Sequence, residues 1–187
     1  DAMDLMASIS SSTRFGDYGR QPWEPSDLAT SVLREHLVEL IPLESDKLLI
    51  EQILSGQDSF TKNQVGDLSE EGKRVYKLLT GTSLVESREL ISQLPEEFQD
   101  DMRAVSPASN VGDIKARILI MHDASDNNVP PEESRRFFEA LKGREDVTYT
   151  EFAFFNHMDP GRDVGPLTWI GDVYKLFMHL YSIIRIT

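Results

Sequence analysis

Cysteine is absent from the 187-residue chain, which excludes a disulfide framework, a thiolate zinc site and a thiol nucleophile. Basic residues are scarce: 19 Lys and Arg against 32 Asp and Glu give a formal charge of −13. Nucleic acid and anionic membrane surfaces both demand clustered Lys and Arg, so neither is an expected partner. Long apolar runs are missing as well. None approaches the roughly 20 residues of a membrane-spanning helix, and no basic segment followed by an apolar stretch opens the sequence. The expectation is a soluble chain with its compartment left open, the cytoplasm slightly favoured. It starts at Asp1 rather than Met, as a processed product or a piece of a longer protein would. No internal repeat is evident, and the length allows one domain, or a domain with a small appendage, around a sizeable core.

What is present is concentrated between Arg117 and Pro160. Ile118-Leu119-Ile120-Met121 is a short unbroken apolar run, the pattern of a parallel strand covered on both faces. Asp123 to Pro131 is a dense cluster of turn formers, so the strand delivers Asp126 onto a loop at its C-terminal end. Pro131 then opens a helix with Phe137, Phe138 and Leu141 at helical spacing, and Gly143 suits the position just past its end. Val147 to Phe155, rich in β-branched and aromatic residues, predicts a second strand, with His157 just beyond it. The product is one right-handed βαβ unit with a carboxylate after one strand and an imidazole after the next. In open α/β sheets ligands bind at that edge.

At these residues the chain resembles the C-terminal part of an α/β-hydrolase. Ile118 to Pro130 is similar to the penultimate-strand pattern of that superfamily, and Phe154 to Pro160 to the stretch around its histidine. The resemblance implies that Asp126 is the triad acid and His157 the triad base, in the chain order Ser, Asp, His. Asp123 stands where the family more often has glycine, so a second carboxylate competes for the role given to Asp126. The family's nucleophile sits in a G-x-S-x-G turn between a strand and a helix, and the sequence contains no such turn. Its nearest imitation, Gly81-Thr82-Ser83-Leu84-Val85, lacks the second glycine and follows a helical pattern; Ser83 reads better as a helix N-cap with Glu86 completing a capping box.

Residues 1–25 form a loop-rich lead-in, with a short helix possible from Ala2 and with Phe15, Tyr18 and Trp23 either at a pocket mouth or sealing the loop. Residues 26–105 read as successive helices. Ser26 caps the first, whose Leu28, Val32, Leu33, Leu37, Leu40 and Ile41 share one face. A second follows from about Ser45, a third opens at Ser69, a fourth at Ser83, and a short acidic one carries Phe98 and Met102 before Ser106-Pro107 stops it. Beside a hydrolase core such a block resembles the cap that folds over the active site in many members. Residues 106–187 would then be the C-terminal part of the core, closed by a helix from Pro166 with Ile170, Val173, Tyr174, Phe177, Leu180, Tyr181 and Ile184 at helical spacing. The fold expected is α/β and helix-dominated: a helical cap, then a parallel βαβ unit and a final helix.

The chemistry implied is acyl hydrolysis of an ester or peptide. Imidazole, with a pKa near 6.5, can take a serine proton at neutral pH, and a carboxylate on its other nitrogen fixes the tautomer and stabilises the imidazolium. Asp126 and His157 would supply these two roles to a serine the sequence does not contain, so that the chain alone would be inactive; a non-catalytic binding or assembly module is the alternative. No cofactor is expected. His122, Asp123, Asp126, His157 and Asp159 offer metal-ligand atoms, but their spacing matches no metal motif. Two parallel strands leave both sheet edges open and cover little of the apolar helix faces, so the chain is expected to join an upstream fragment or its own copies.

Overall fold

The computed structural model describes residues 1–16, 19–55, 62–154 and 163–185. Helices dominate. The lead-in holds more structure than its turn-rich composition promised: α1 (Ala2–Ser11) is followed by a hairpin of β1 (Thr13–Gly16) and β2 (Gly19–Pro22). Asp1 caps α1 by accepting the N–H of Met3, and Met6, Ala7 and Ile9 enter the main apolar core.

Five further helices build the rest of that core: α2 (Asp27–Glu39), α3 (Glu44–Leu54), α4 (Glu70–Thr80), α5 (Leu84–Ser92) and α6 (Glu96–Val105). Ser26, Ser69 and Ser83 cap α2, α4 and α5 through their hydroxyls, which satisfies N–H groups that a helix start leaves without partners. The capping box expected at Ser83 is only half made. Ser83 accepts the N–H of Glu86 at 3.2 Å, whereas the Glu86 carboxylate takes the Thr82 hydroxyl and Lys77. Leu33, Leu37, Ile41, Ile50, Val75, Leu78 and Ile91 are buried together. Leu28 and Val32, expected on the same inward face of α2, remain 61% and 45% exposed.

A close approach fixes one glycine in this core. A Cβ at Gly72 would stand 2.5 Å from Oδ2 of Asp46. Asp46 is buried and its Oδ2 accepts the N–H and the hydroxyl of Ser69, so the first turn of α4 is pinned against α3 by a carboxylate that only glycine admits.

The second unit is the predicted parallel pair, β3 (Ile118–Asp123) and β4 (Val147–Phe152), in register from Ile118 opposite Val147 to Asp123 opposite Phe152. α7 (Pro131–Ala140) crosses between them, and Gly143 follows it with φ of 97°. Ile118 to His122 are half-buried rather than enclosed, because a two-stranded sheet gives β3 a neighbour on one side alone among the described residues.

The last helix, α8 (Pro166–Ile184), turns its polar side to the sheet. Its buried residues are Asp172 and His179, while Ile170, Tyr174, Phe177, Leu180, Tyr181 and Ile184 are exposed. The helix meets β4 through polar groups and leaves its apolar stripe uncovered. Among the described residues no helix is long and apolar enough to cross a membrane.

Candidate active site

The loop between β3 and α7 is folded by its own carboxylates. Asp123 Oδ1 accepts the N–H of Ser125 at 2.9 Å, and Asp126 Oδ1 accepts those of Asn128 at 2.7 Å and Val129 at 3.1 Å. Both are local side-chain turns of the kind Asp favours. The N–H of Ala124 continues the ladder to the Phe152 carbonyl at 2.7 Å, so the loop leaves the sheet edge directly beside the end of β4. Asp123 and Asp126 are both buried.

Residues far away in sequence hold this loop from outside. The indole N–H of Trp23 donates to the Asp126 carbonyl at 3.0 Å, and the N–H of Ser26 to the Asn127 carbonyl at 2.7 Å. The Ser26 hydroxyl also reaches Asn128 Oδ1. Of the three aromatics weighed for a pocket mouth or a seal, Trp23 does both: its ring is buried, and it borders a cavity of about 340 Å³ together with Arg14, Glu24, Ser125, Asp126 and Asn127.

From inside, His122 ties the loop to α7. Its Nε2 lies 3.0 Å from the Val129 carbonyl and its Nδ1 2.7 Å from the Ser134 hydroxyl. A carbonyl only accepts, so Nε2 carries a proton, and in the neutral imidazole Nδ1 accepts from Ser134. Asp126 Oδ2 is 3.7 Å from Nε2, beyond hydrogen-bonding range. Serine, histidine and aspartate thus stand in a row whose members match a hydrolytic triad in type. They do not match in arrangement, since the proton that a triad acid would bind is given to a carbonyl. The row braces the loop that carries Asp126. Ser134 was not marked by local pattern and His122 was weighed only as a metal ligand, because their contact depends on how α7 folds back over β3.

A polar network beneath the loop joins α7 to β4. Arg135 holds Glu151 through two bonds of 3.0 and 2.6 Å, and Tyr149 donates to the same carboxylate at 2.9 Å. Burial works to raise the Glu151 pKa, but these two donors outweigh it and the net shift is downward; the Tyr149 phenol moves up, chiefly through burial.

His157 and Asp159 lie outside the described residues, so of the two positions assigned to the acid and the base, the structure describes Asp126. Among the described residues no group of three or more His, Asp or Glu is arranged to hold a metal ion.

The described βαβ unit thus has an aspartate-bearing loop after its first strand, a crossover helix and a parallel neighbour strand. Residues 78–161 match the prolyl oligopeptidase family, Peptidase_S9. Prolyl oligopeptidases are serine peptidases of α/β-hydrolase fold, and the matched segment runs from the end of α4 through the whole βαβ unit and includes Asp126 and His157. The likeness to an α/β-hydrolase is therefore carried by this segment, which is less than half of the chain. No significant match is found among curated proteins or among solved structures.

Proposed function

We propose that this chain supplies the acid, Asp126, and the base, His157, of a serine hydrolase that cleaves peptide or ester acyl groups. The family match across residues 78–161 carries this reading, supported by the loop that presents Asp126 at the C-terminal edge of a parallel strand. Asp126 is preferred to Asp123 because it borders the polar cavity at that edge and Asp123 does not. His157 would accept the proton of a serine outside these 187 residues, forming an acyl-enzyme that water then hydrolyses. On this view the helices of residues 26–105 are a cap that shapes the substrate pocket, and no cofactor takes part. A binding or assembly module built on the same fold is the second reading, favoured by the uncovered apolar stripe of α8. A further consequence is that the chain joins an upstream segment or its own copies.

A fluorophosphonate probe separates the readings. The chain alone stays unlabelled, whereas a longer product of the same gene carrying a G-x-S-x-G turn is labelled at that serine and loses labelling with His157→Ala. Labelling of the 187-residue chain at any serine, Ser134 and Ser83 included, contradicts the proposal.

A further inference from the structure

An apolar cavity of about 310 Å³ lies between α1, α2 and the acid loop. Leu5, Met6 and Ile9 come to it from α1, Leu28, Val32 and Leu33 from α2, and Asn128 and Val129 border it from the loop. His36 and Asn128 are the polar residues of the lining, and no Asp, Glu, Lys or Arg is part of it, in a chain of formal charge −13. Such a lining disfavours a charged ligand group, which would be desolvated there with no carboxylate, ammonium or guanidinium to pair with.

Two observations make this a built site rather than a packing gap. Leu28 and Val32 belong by helical spacing to the inward face of α2, yet they stay largely exposed at this cavity instead of joining Leu33 and Leu37 in the core. Val129, moreover, is held from both sides: its N–H donates to the Asp126 carboxylate at 3.1 Å and its carbonyl accepts from His122. A group seated in the cavity therefore rests on the residue that fixes the acid. A neighbouring cavity of about 280 Å³ shares Ala2, Leu5 and Val129 but contains Glu133 and Ser134, so the apolar end is distinct.

We infer that this cavity binds an uncharged apolar group, from a branched aliphatic to a phenyl ring, and is a specificity site next to Asp126. The volume lies at the lower end of ligand pockets, about 300 to 1,000 Å³, which suits one side chain or a short acyl chain rather than a fused polycyclic. The inference deepens the hydrolase reading and takes its substrate class from it: the hydrophobic side chain of a peptide or the acyl chain of an ester.

The test uses the whole chain and toluene, a single uncharged phenyl ring, with binding both measured and located by methyl chemical shifts. The expected result is perturbation of Leu5, Leu28, Leu33 and Val129 methyls, and a dissociation constant raised about tenfold or more by Val32→Asp, with Leu28→Gln as a second variant and circular dichroism confirming that each folds. Phe177→Ser, on the exposed stripe of α8, leaves that constant unchanged. N-acetyl-leucinamide and ethyl hexanoate displace the probe, the more effective one naming the source of the group, and N-acetyl-lysinamide does not. Perturbation confined to α8, indifference to both mouth variants, or equal displacement by the lysine amide overturns the inference. Binding is read without turnover, so the cavity can fail while fluorophosphonate labelling of a longer product succeeds, and the reverse.

Discussion

The Asp172 carboxylate of α8 accepts the backbone N–H of Ala153 at 2.6 Å and that of Phe154 at 3.2 Å, holding the chain at the point where it leaves β4 toward His157. Asp172 is 1% exposed, and Lys175 binds its other oxygen at 2.7 Å. Burial pushes its pKa up, but Lys175 and the two N–H donors prevail and the net shift is downward. A carboxyl whose folded pKa lies below its unfolded value contributes stability that is complete above the unfolded value, about 3.9, and is lost as pH falls through the folded one. Asp172→Asn removes this acid-sensitive contribution and weakens the paired bonds. The expected cost is about 1 to 3 kcal/mol in urea unfolding at pH 7, with faster hydrogen exchange at Ala153 and Phe154; an unchanged midpoint and unchanged exchange contradict the anchoring role.

His179, on the same buried face of α8, titrates in a separate range. Burial lowers its pKa, and its Nδ1 lies 2.8 Å from the Thr150 hydroxyl. A histidine that is harder to protonate when folded than when unfolded contributes stability that is present above about pH 6.5 and lost as pH falls through the depressed folded value. Chemical unfolding followed from pH 8 to pH 5 is therefore expected to show a loss of stability beginning near pH 6.5 that His179→Gln removes. A loss of the same size in the variant would assign it elsewhere.

Gly72→Ala should run against helix propensity. In an exposed helix the change stabilises by about 1 kcal/mol; here the new methyl meets the Asp46 carboxylate, which cannot retreat without giving up Ser69. A loss on the order of 1 to 3 kcal/mol in thermal unfolding is expected, and Asp46→Ala made together with Gly72→Ala should cost less than the sum of the two alone. Strict additivity would show that the two sites do not touch.

How far sequence alone reached is clearest by comparing α7 with α8. Around α7, turn chemistry, helix period and strand composition all pointed to one arrangement, and the parallel pairing of Ile118 with Val147 followed. In α8 the period was just as strong and gave the helix, but periodicity reports which side is apolar and not whether anything covers it. Leu28 and Val32 misled for that reason, since a cavity wall and a core face look alike in one dimension. At the site, the loop that carries Asp126 was legible from the apolar strand before it and its own turn formers. Trp23, Ser26, His122 and Ser134 were not legible as loop braces, because each contact there is made by backbone groups or by residues distant in the chain.

The uncovered stripe of α8 carries a prediction about assembly. Leu167, Ile170, Tyr174, Phe177, Leu180 and Ile184 are exposed, a larger apolar surface than soluble monomers usually present, and Phe177 stacks on Tyr181 at 6.2 Å. Sedimentation of the purified chain is expected to show concentration-dependent association, reduced by Phe177→Ser with Tyr181→Ser, unless an upstream segment is supplied in trans. A monodisperse monomer with strongly protected β3 and β4 amides contradicts it.

The acid and base assignment meets its most direct test in the proton on the His157 ring. Proton NMR of the chain labelled with 15N at histidine is expected to show a far-downfield Nδ1 proton on His157, bridged to a carboxylate, that disappears in Asp126→Asn and persists in Asp123→Asn. Persistence in Asp126→Asn with loss in Asp123→Asn would transfer the role to Asp123, and absence of such a proton at every pH would mean that Asp126 and His157 do not form the pair on which the hydrolase reading rests.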